Sequence, residues 1–151
     1  MDSMFVVGRS TFRIQQGPGS ADHTMRVTIT RDERLEWTYH HASWRPLAVG
    51  WGSGSAYVWT ARDIVVLPDD PDGDPHVLHA DEDLLFVFRT ENKWLLVCET
   101  SVRLIVGQQE RSRRDFGEVI ERAHWSEGRL LVEDVNGVTS HLTVTDDRLI
   151  L

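Results

Sequence analysis

"DLLFVFRTENKWLLVCETSVRLIVG", residues 83–107, decides the fold. Its apolar runs are short and rich in valine, isoleucine, phenylalanine and tryptophan, side chains that fit a pleated and half-buried surface. "DLLFVF" and "KWLLVCET" flank the polar break "RTEN", so they read as a hairpin, and "VRLIVG" continues as a third strand. Nearly continuous apolar runs of this length mean burial on both faces, which places these strands at the centre of the core. The lone cysteine sits inside the second run. Strict alternation puts Trp94, Leu96, Cys98, Thr100 and Val102 on one face, and Leu95, Val97, Glu99, Ser101 and Arg103 on the other. Cys98 therefore reads as a small buried hydrophobe, because nothing local supplies the histidine or the electropositive opening that a nucleophilic thiol needs. Glu99 and Arg103 are four residues apart, too far to be direct neighbours along a strand, and their partners are expected on adjacent strands.

Working outward, the period of two persists. "MRVTIT" (25–30) alternates Met25, Val27 and Ile29 with Arg26, Thr28 and Thr30, and "RDER" turns it into "LEWTYHH" (35–41). After "WRPLAVGWGSGS" (44–55), whose glycines predict a bend or bulge, "AYVWT" and "DIVVLP" are two further strands. "DDPDGDP" (69–75) is a surface loop, and "QQERSRRDFGE" (108–118) is a charged connector. "EVIERAHW", "GRLLVEDV" and "VTSHLTV" follow, joined by "SEG" and by Asn136-Gly137, a strong hairpin signal. Residues 1–24, broken by Gly17, Pro18 and Gly19, are expected to be an N-terminal arm or a first edge strand. No segment carries a long amphipathic helical pattern; the best, residues 113–125, is interrupted by Gly117. The expectation is an all-β antiparallel meander of about ten short strands, with residues 25–151 as a single domain.

The stretch "GEVIERAHWSEGRLLVEDVNGVTSHLTV", residues 117–144, resembles the first three strands of a β-propeller blade of the WD-repeat or a related type. The features that carry the resemblance are the turn at Trp125, Ser126 and Gly128, the apolar strand Leu130 to Val132, the Asn136-Gly137 turn, and Leu142 with Val144 in the last strand. The Gly-His and Trp-Asp signatures of true WD repeats are absent. Looser echoes run through residues 83–105 and 55–68. The resemblance implies two or three blades, whereas closure of a propeller takes at least about four. The chain is thus expected either to assemble with copies of itself or to be a β-sandwich made of the same hairpins.

Composition bounds the function. At 151 residues the chain can bury a core without disulfides or metal, and its formal charge of −8 argues against nonspecific nucleic-acid binding, which needs a basic face. No apolar run approaches the roughly 20 residues of a spanning helix, and no basic leader with a cleavage site opens the sequence. With one cysteine, this predicts a cytoplasmic protein that does not contact membrane. Lys93 is the sole lysine beside fifteen arginines, a composition expected of a GC-rich bacterial genome.

Candidate sites come from the loops. Asp70, Asp72 and Asp74 alternate around Gly73, a spacing that suits calcium, but the order departs from the twelve-residue calcium loop, so a solvated acidic loop is the expectation. His76, His79 and Asp81 could supply ligands to a transition metal, yet in an extended segment positions 76 and 79 face opposite ways. His40 and His41 likewise point apart at a strand end. No cofactor or metal site is expected. Of six tryptophans, four lie within strands beside apolar residues; Trp44 and Trp51, near Arg45, Pro46 and glycines, are expected to be accessible. Trp44, Arg45 and Trp51, with Asp69, Asp70, Asp72 and Asp74, form the binding surface expected of a non-enzymatic protein-binding module, of which an immunity or antitoxin-like protein masking a basic site is one form. The alternatives are a small-molecule- or metal-binding barrel or hydrolase-like enzyme, and a homo-oligomeric propeller-type subunit.

Overall fold

The computed structural model describes residues 2–21, 24–41, 48–52, 55–60, 62–67 and 73–151. The described residues form sixteen strands in four separate four-stranded antiparallel sheets, with no helix. Strand order equals chain order in every sheet, so each sheet is one contiguous meander, the construction of a propeller blade.

Sheet 1 holds β1 (Asp2–Val7), β2 (Ser10–Pro18), β3 (Met25–Arg31) and β4 (Leu35–His41). Sheet 2 holds β5 (Ala48–Gly52), β6 (Ser55–Thr60), β7 (Asp63–Leu67) and β8 (His76–His79). In sheet 3 are β9 (Leu84–Thr90), β10 (Lys93–Cys98), β11 (Ser101–Val106) and β12 (Gln109–Asp115). Sheet 4 consists of β13 (Ile120–Ser126), β14 (Arg129–Asp134), β15 (Thr139–Val144) and β16 (Leu149–Ile150).

The all-β antiparallel class is as the alternation predicts; the counts differ. Four sheets replace two or three blades, because the strands that complete each meander carry little alternating signal. Residues 1–24 supply β1 and β2, and sheet 1 runs unbroken across residue 25 from β2 to β3. The supposed connector contains β12, and the glycine-rich bend contains β5. Gly50 in β5 is paired with Tyr57, and a Cβ there would lie 2.4 Å from the Tyr57 ring; glycine lets that buried ring lie across the strand.

Two compact units divide the chain, Met1–Asp81 and Glu82–Leu151. The core of the first unit joins Phe12, Ile14, Val27 and Ile29 of sheet 1 to Ala56, Val58, Val65 and Leu67 of sheet 2. That of the second joins Leu95, Val97, Val102 and Leu104 of sheet 3 to Ile120, Leu130, Val132, Leu142 and Leu149 of sheet 4. Each valine, leucine, isoleucine or phenylalanine among them contributes about 1.5–3 kcal/mol on burial. β10 is buried on both faces, Trp94, Leu96 and Cys98 lying opposite Leu95 and Val97. The alternation does not carry through Thr100, however: the chain turns at Glu99 and Thr100, and Val102 pairs with Val97 and so shares its face instead of that of Cys98.

The hairpin between β13 and β14 turns through Glu127 and Gly128, with φ of 49° and 80°. Positive φ at both central residues is the two-residue geometry whose twist matches antiparallel strands. At Asn136-Gly137 the loop is longer, and the Asp134 carboxylate accepts hydrogen bonds from the backbone N–H groups of Asn136 at 2.8 Å and Val138 at 3.0 Å. A bulge at Glu121 lets Ala123 and Trp125 join Ile120 on the core side and puts Arg122 and His124 on the other.

Candidate functional site

Five of the seven binding residues expected from sequence, Trp44, Arg45, Asp69, Asp70 and Asp72, lie outside the described ones. Trp51 belongs to β5, where its backbone pairs with Ala56, and Asp74 is exposed just before β8. His40 and His41 end β4, in register with Arg26 and Met25. His76 and His79 both lie in β8, and His79 Nδ1 stands 2.6 Å from Asp63 Oδ1, its cross-strand neighbour. The carboxylate fixes the orientation of an imidazole that is 76% exposed. Among the described residues no three histidine, cysteine or acidic side chains gather as a metal site.

The strongest polar cluster was not evident from sequence. Glu82, in the turn before β9, accepts hydrogen bonds from the Thr100 N–H at 2.7 Å and the Thr100 hydroxyl at 2.9 Å. Its other oxygen accepts from the Ser101 hydroxyl at 2.7 Å and from Arg103 Nη2 at 2.9 Å. Ser101 and Arg103 are buried, and the Arg103 guanidinium is also 3.7 Å from Glu110. Burial pushes the Glu82 carboxyl up, but the donors from Thr100, Ser101 and Arg103 outweigh it and bring the pKa down to about 2. All four of the groups that satisfy Glu82 belong to the protein, so this is a clamp that ties the start of β9 to the β10–β11 turn.

Among the described residues, one surface with exposed apolar side chains is the outer face of sheet 1. Along β2, Phe12 and Ile14 turn to the core, leaving Thr11, Arg13 and Gln15 on the opposite face. Register places Met4 beside Arg13 and Val6 beside Thr11, and Thr30 continues the row on β3. Met4 is 67% exposed and Val6 60%. Arg13 makes a bidentate ion pair with Asp2, Nε to Oδ1 at 3.1 Å and Nη2 to Oδ2 at 2.7 Å, and that pairing holds the Asp2 carboxyl below its usual value. Asp32 and Glu33 close the other end, the Asp32 carboxylate accepting from the Thr11 N–H at 2.8 Å. Met4, Thr11, Arg13, Gln15, Thr30, Asp32 and Glu33 line a depression of about 440 Å³. From sequence this segment was expected to be an arm or a first edge strand; the exposure of Met4 and Val6 was not readable, since apolar residues in a first strand read equally as core.

Sheet 4 also has an outer face. Leu131 stands between His124 and His141 on the flanking strands, and the next row runs from Ser126 through Arg129 and Thr143 to Ile150. His124, Ser126, Glu127, Arg129, Leu131 and His141 line a depression of about 450 Å³, and Arg122 and Glu133 continue it. Ile150 is 47% exposed.

No family model matches this sequence, and no curated protein matches it. Among solved structures, the chain is similar to BBS1N, in a crystal structure of BBS1N in complex with ARL6DN, soaked with mercury. The TM-score is 0.59 at 10% sequence identity, over 97% of this chain and 51% of that one. The likeness shows the fold alone: BBS1N is a β-propeller, and the chain studied here is propeller-like. This chain spans about half the length of the structure it matches.

Proposed function

We propose that this chain is a non-enzymatic protein-binding β module whose docking surface is the outer face of sheet 1. The observation that carries the reading is the pair Met4 and Val6, exposed on a sheet whose other face is a closed core. Apolar side chains left in water beside a rim of ion pairs and carboxylates have the composition of a protein contact, apolar at the centre and polar at the edge. The structural neighbour was crystallised in a protein complex, which accords with this use of the fold. The loop surface expected from sequence, Trp44, Arg45 and Trp51 with Asp69, Asp70, Asp72 and Asp74, is proposed as a second contact of the same acidic module.

Affinity capture with the wild-type chain and with Met4→Arg as paired baits tests the reading. A protein retained by the wild type and lost with the variant, while circular dichroism shows the same β content, supports it. Equal retention by both baits removes the sheet 1 face from the account. Neutralising Asp69, Asp70, Asp72 and Asp74 together tests the loop in the same way.

A further inference from the structure

We infer that β1 is a self-association edge: the β1 strands of two copies of this chain pair antiparallel about a two-fold axis and join their first sheets into one. The inference rests on the protein-binding reading above and names the occupant, a second copy. Among the described strands, β1 pairs with β2 on one side and with none on the other. A strand edge in that position is a template for another chain unless it is short, charged, bulged or interrupted by proline. Other sheet edges of this protein are blunted in those ways. β8 and β16 are four and two residues long, β12 is rich in charge, and β13 carries the bulge at Glu121. β1 reads "DSMFVV", without proline or a basic residue, and its register with β2 runs from Asp2 to Val7 without a shift.

The hydrogen bonds of β2 fix which backbone groups of β1 point outward. The Thr11 C=O accepts from the Asp32 N–H at 2.9 Å and the Thr11 N–H donates to the Asp32 carboxylate at 2.8 Å, so the Thr11 backbone faces β3. Backbone direction alternates along a strand, which turns Ser10, Phe12 and Ile14 toward their partners Val7, Phe5 and Ser3. The N–H and C=O groups of Asp2, Met4 and Val6 are thereby directed away from β2. In a two-fold antiparallel pair one register uses all three: Met4 opposite Met4, with Asp2 opposite Val6 at either end, each pair exchanging both of its hydrogen bonds. That register sets no like charges opposite one another, since Asp2 lies across from an apolar residue and is paired with Arg13 at 2.7 Å. It also brings the two copies of Met4 together and covers Val6, side chains 67% and 60% exposed in the single chain.

Sedimentation equilibrium of the full chain, with substitutions at Met4 and Val6, tests this. The wild type should reach twice the chain mass of 17.3 kDa. Met4→Pro removes an N–H that faces away from β2, so circular dichroism should be unchanged while self-association weakens about tenfold or more. Met4→Ala keeps that N–H and should weaken it less. In Met4→Cys the substituted positions of the two copies stand about 5.5 Å apart between Cα atoms, within disulfide reach, and copper-catalysed air oxidation should give a covalent dimer. In Val6→Cys they are offset by about 13 Å along the strands and should not link. Cys98 is buried and offers no competing thiol. A wild type that stays monomeric overturns the inference. So does equal weakening by proline and alanine, which would mean that the Met4 side chain docks on a face and no strand is added. Linking of Val6→Cys in place of Met4→Cys overturns the pairing, and if Met4→Pro loses its β content the two cysteine variants decide alone. A monomeric wild type that still captures a different protein, and loses it on Met4→Arg, sinks this inference and leaves the protein-binding reading intact. A dimer indifferent to Met4→Arg and Met4→Pro alike contradicts both.

Discussion

At the scale of single residues, Glu82 is a carboxylate that the structure ties closely to its neighbours. Its carboxylate satisfies two hydroxyls, one backbone N–H and the buried Arg103 guanidinium. Glu82→Gln removes the nearest counter-charge of the buried Arg103 guanidinium, which stands 2.9 Å from Glu82 and 3.7 Å from Glu110. The pKa falls from 4.5 to about 2 on folding, equivalent to a stabilisation on the order of 3 kcal/mol. The folded pKa is the lower of the two, so this contribution is complete above pH 4.5 and is lost as pH falls through about 2. Urea unfolding followed against pH should show the wild type losing stability over that window, and Glu82→Gln should start lower and lose less there. A variant with the same acid limb as the wild type would show that the clamp does not stabilise the fold. The clamp was illegible in the sequence because its members are 18–21 residues apart and meet only when β10 folds back on β9. The expectation that Arg103 pairs on an adjacent strand holds for Glu110 on β12 but not for Glu82, which lies in the turn before β9; Cys98 as a buried small hydrophobe was legible, because its run is apolar on both sides.

At the scale of elements, legibility follows burial. β3, β6, β7, β10, β14 and β15 pack at least one face on a core, and their alternation or apolar runs predict them as strands. β12 reads "QERSRRD" and is exposed at all positions but one, so nothing in its residue pattern distinguishes a strand from a charged connector; pairing with β11 makes it one. β8 is four residues long and β16 two, too short for any period to register. β5 was hidden for a different reason: glycine weakens a strand by propensity, and Gly50 is there for the Tyr57 ring. Gly50→Ala should therefore cost about 1–3 kcal/mol by displacing a buried ring. In a Tyr57→Ala background the same substitution should cost much less, and thermal melts of the four proteins measure that coupling. Equal costs in both backgrounds would mean that the glycine serves the backbone and not the ring.

For the whole molecule, the sequence conveyed the class and the unit of construction but not the number of units. Its hairpins predicted an antiparallel meander, and the blade-like stretch at residues 117–144 matches β13, β14 and β15 strand for strand. Four contiguous sheets follow from edge strands that pattern alone could not reveal. The binding surface was less legible still, because an outer face is defined by what fails to cover it, and that is a property of the assembled sheets. Among the described residues Met4 is 67% exposed, more than any large apolar residue but Leu151. Its methyl group therefore reports directly on the surface at which protein is proposed to dock. The decisive measurement is methionine-methyl NMR of the full chain, comparing Met4 with Met25, as concentration is raised and as any captured protein is added. The account predicts that the Met4 resonance shifts or broadens when a complex forms, while Met25 at the start of β3 stays in place. A complex that forms with the Met4 resonance unmoved would contradict it.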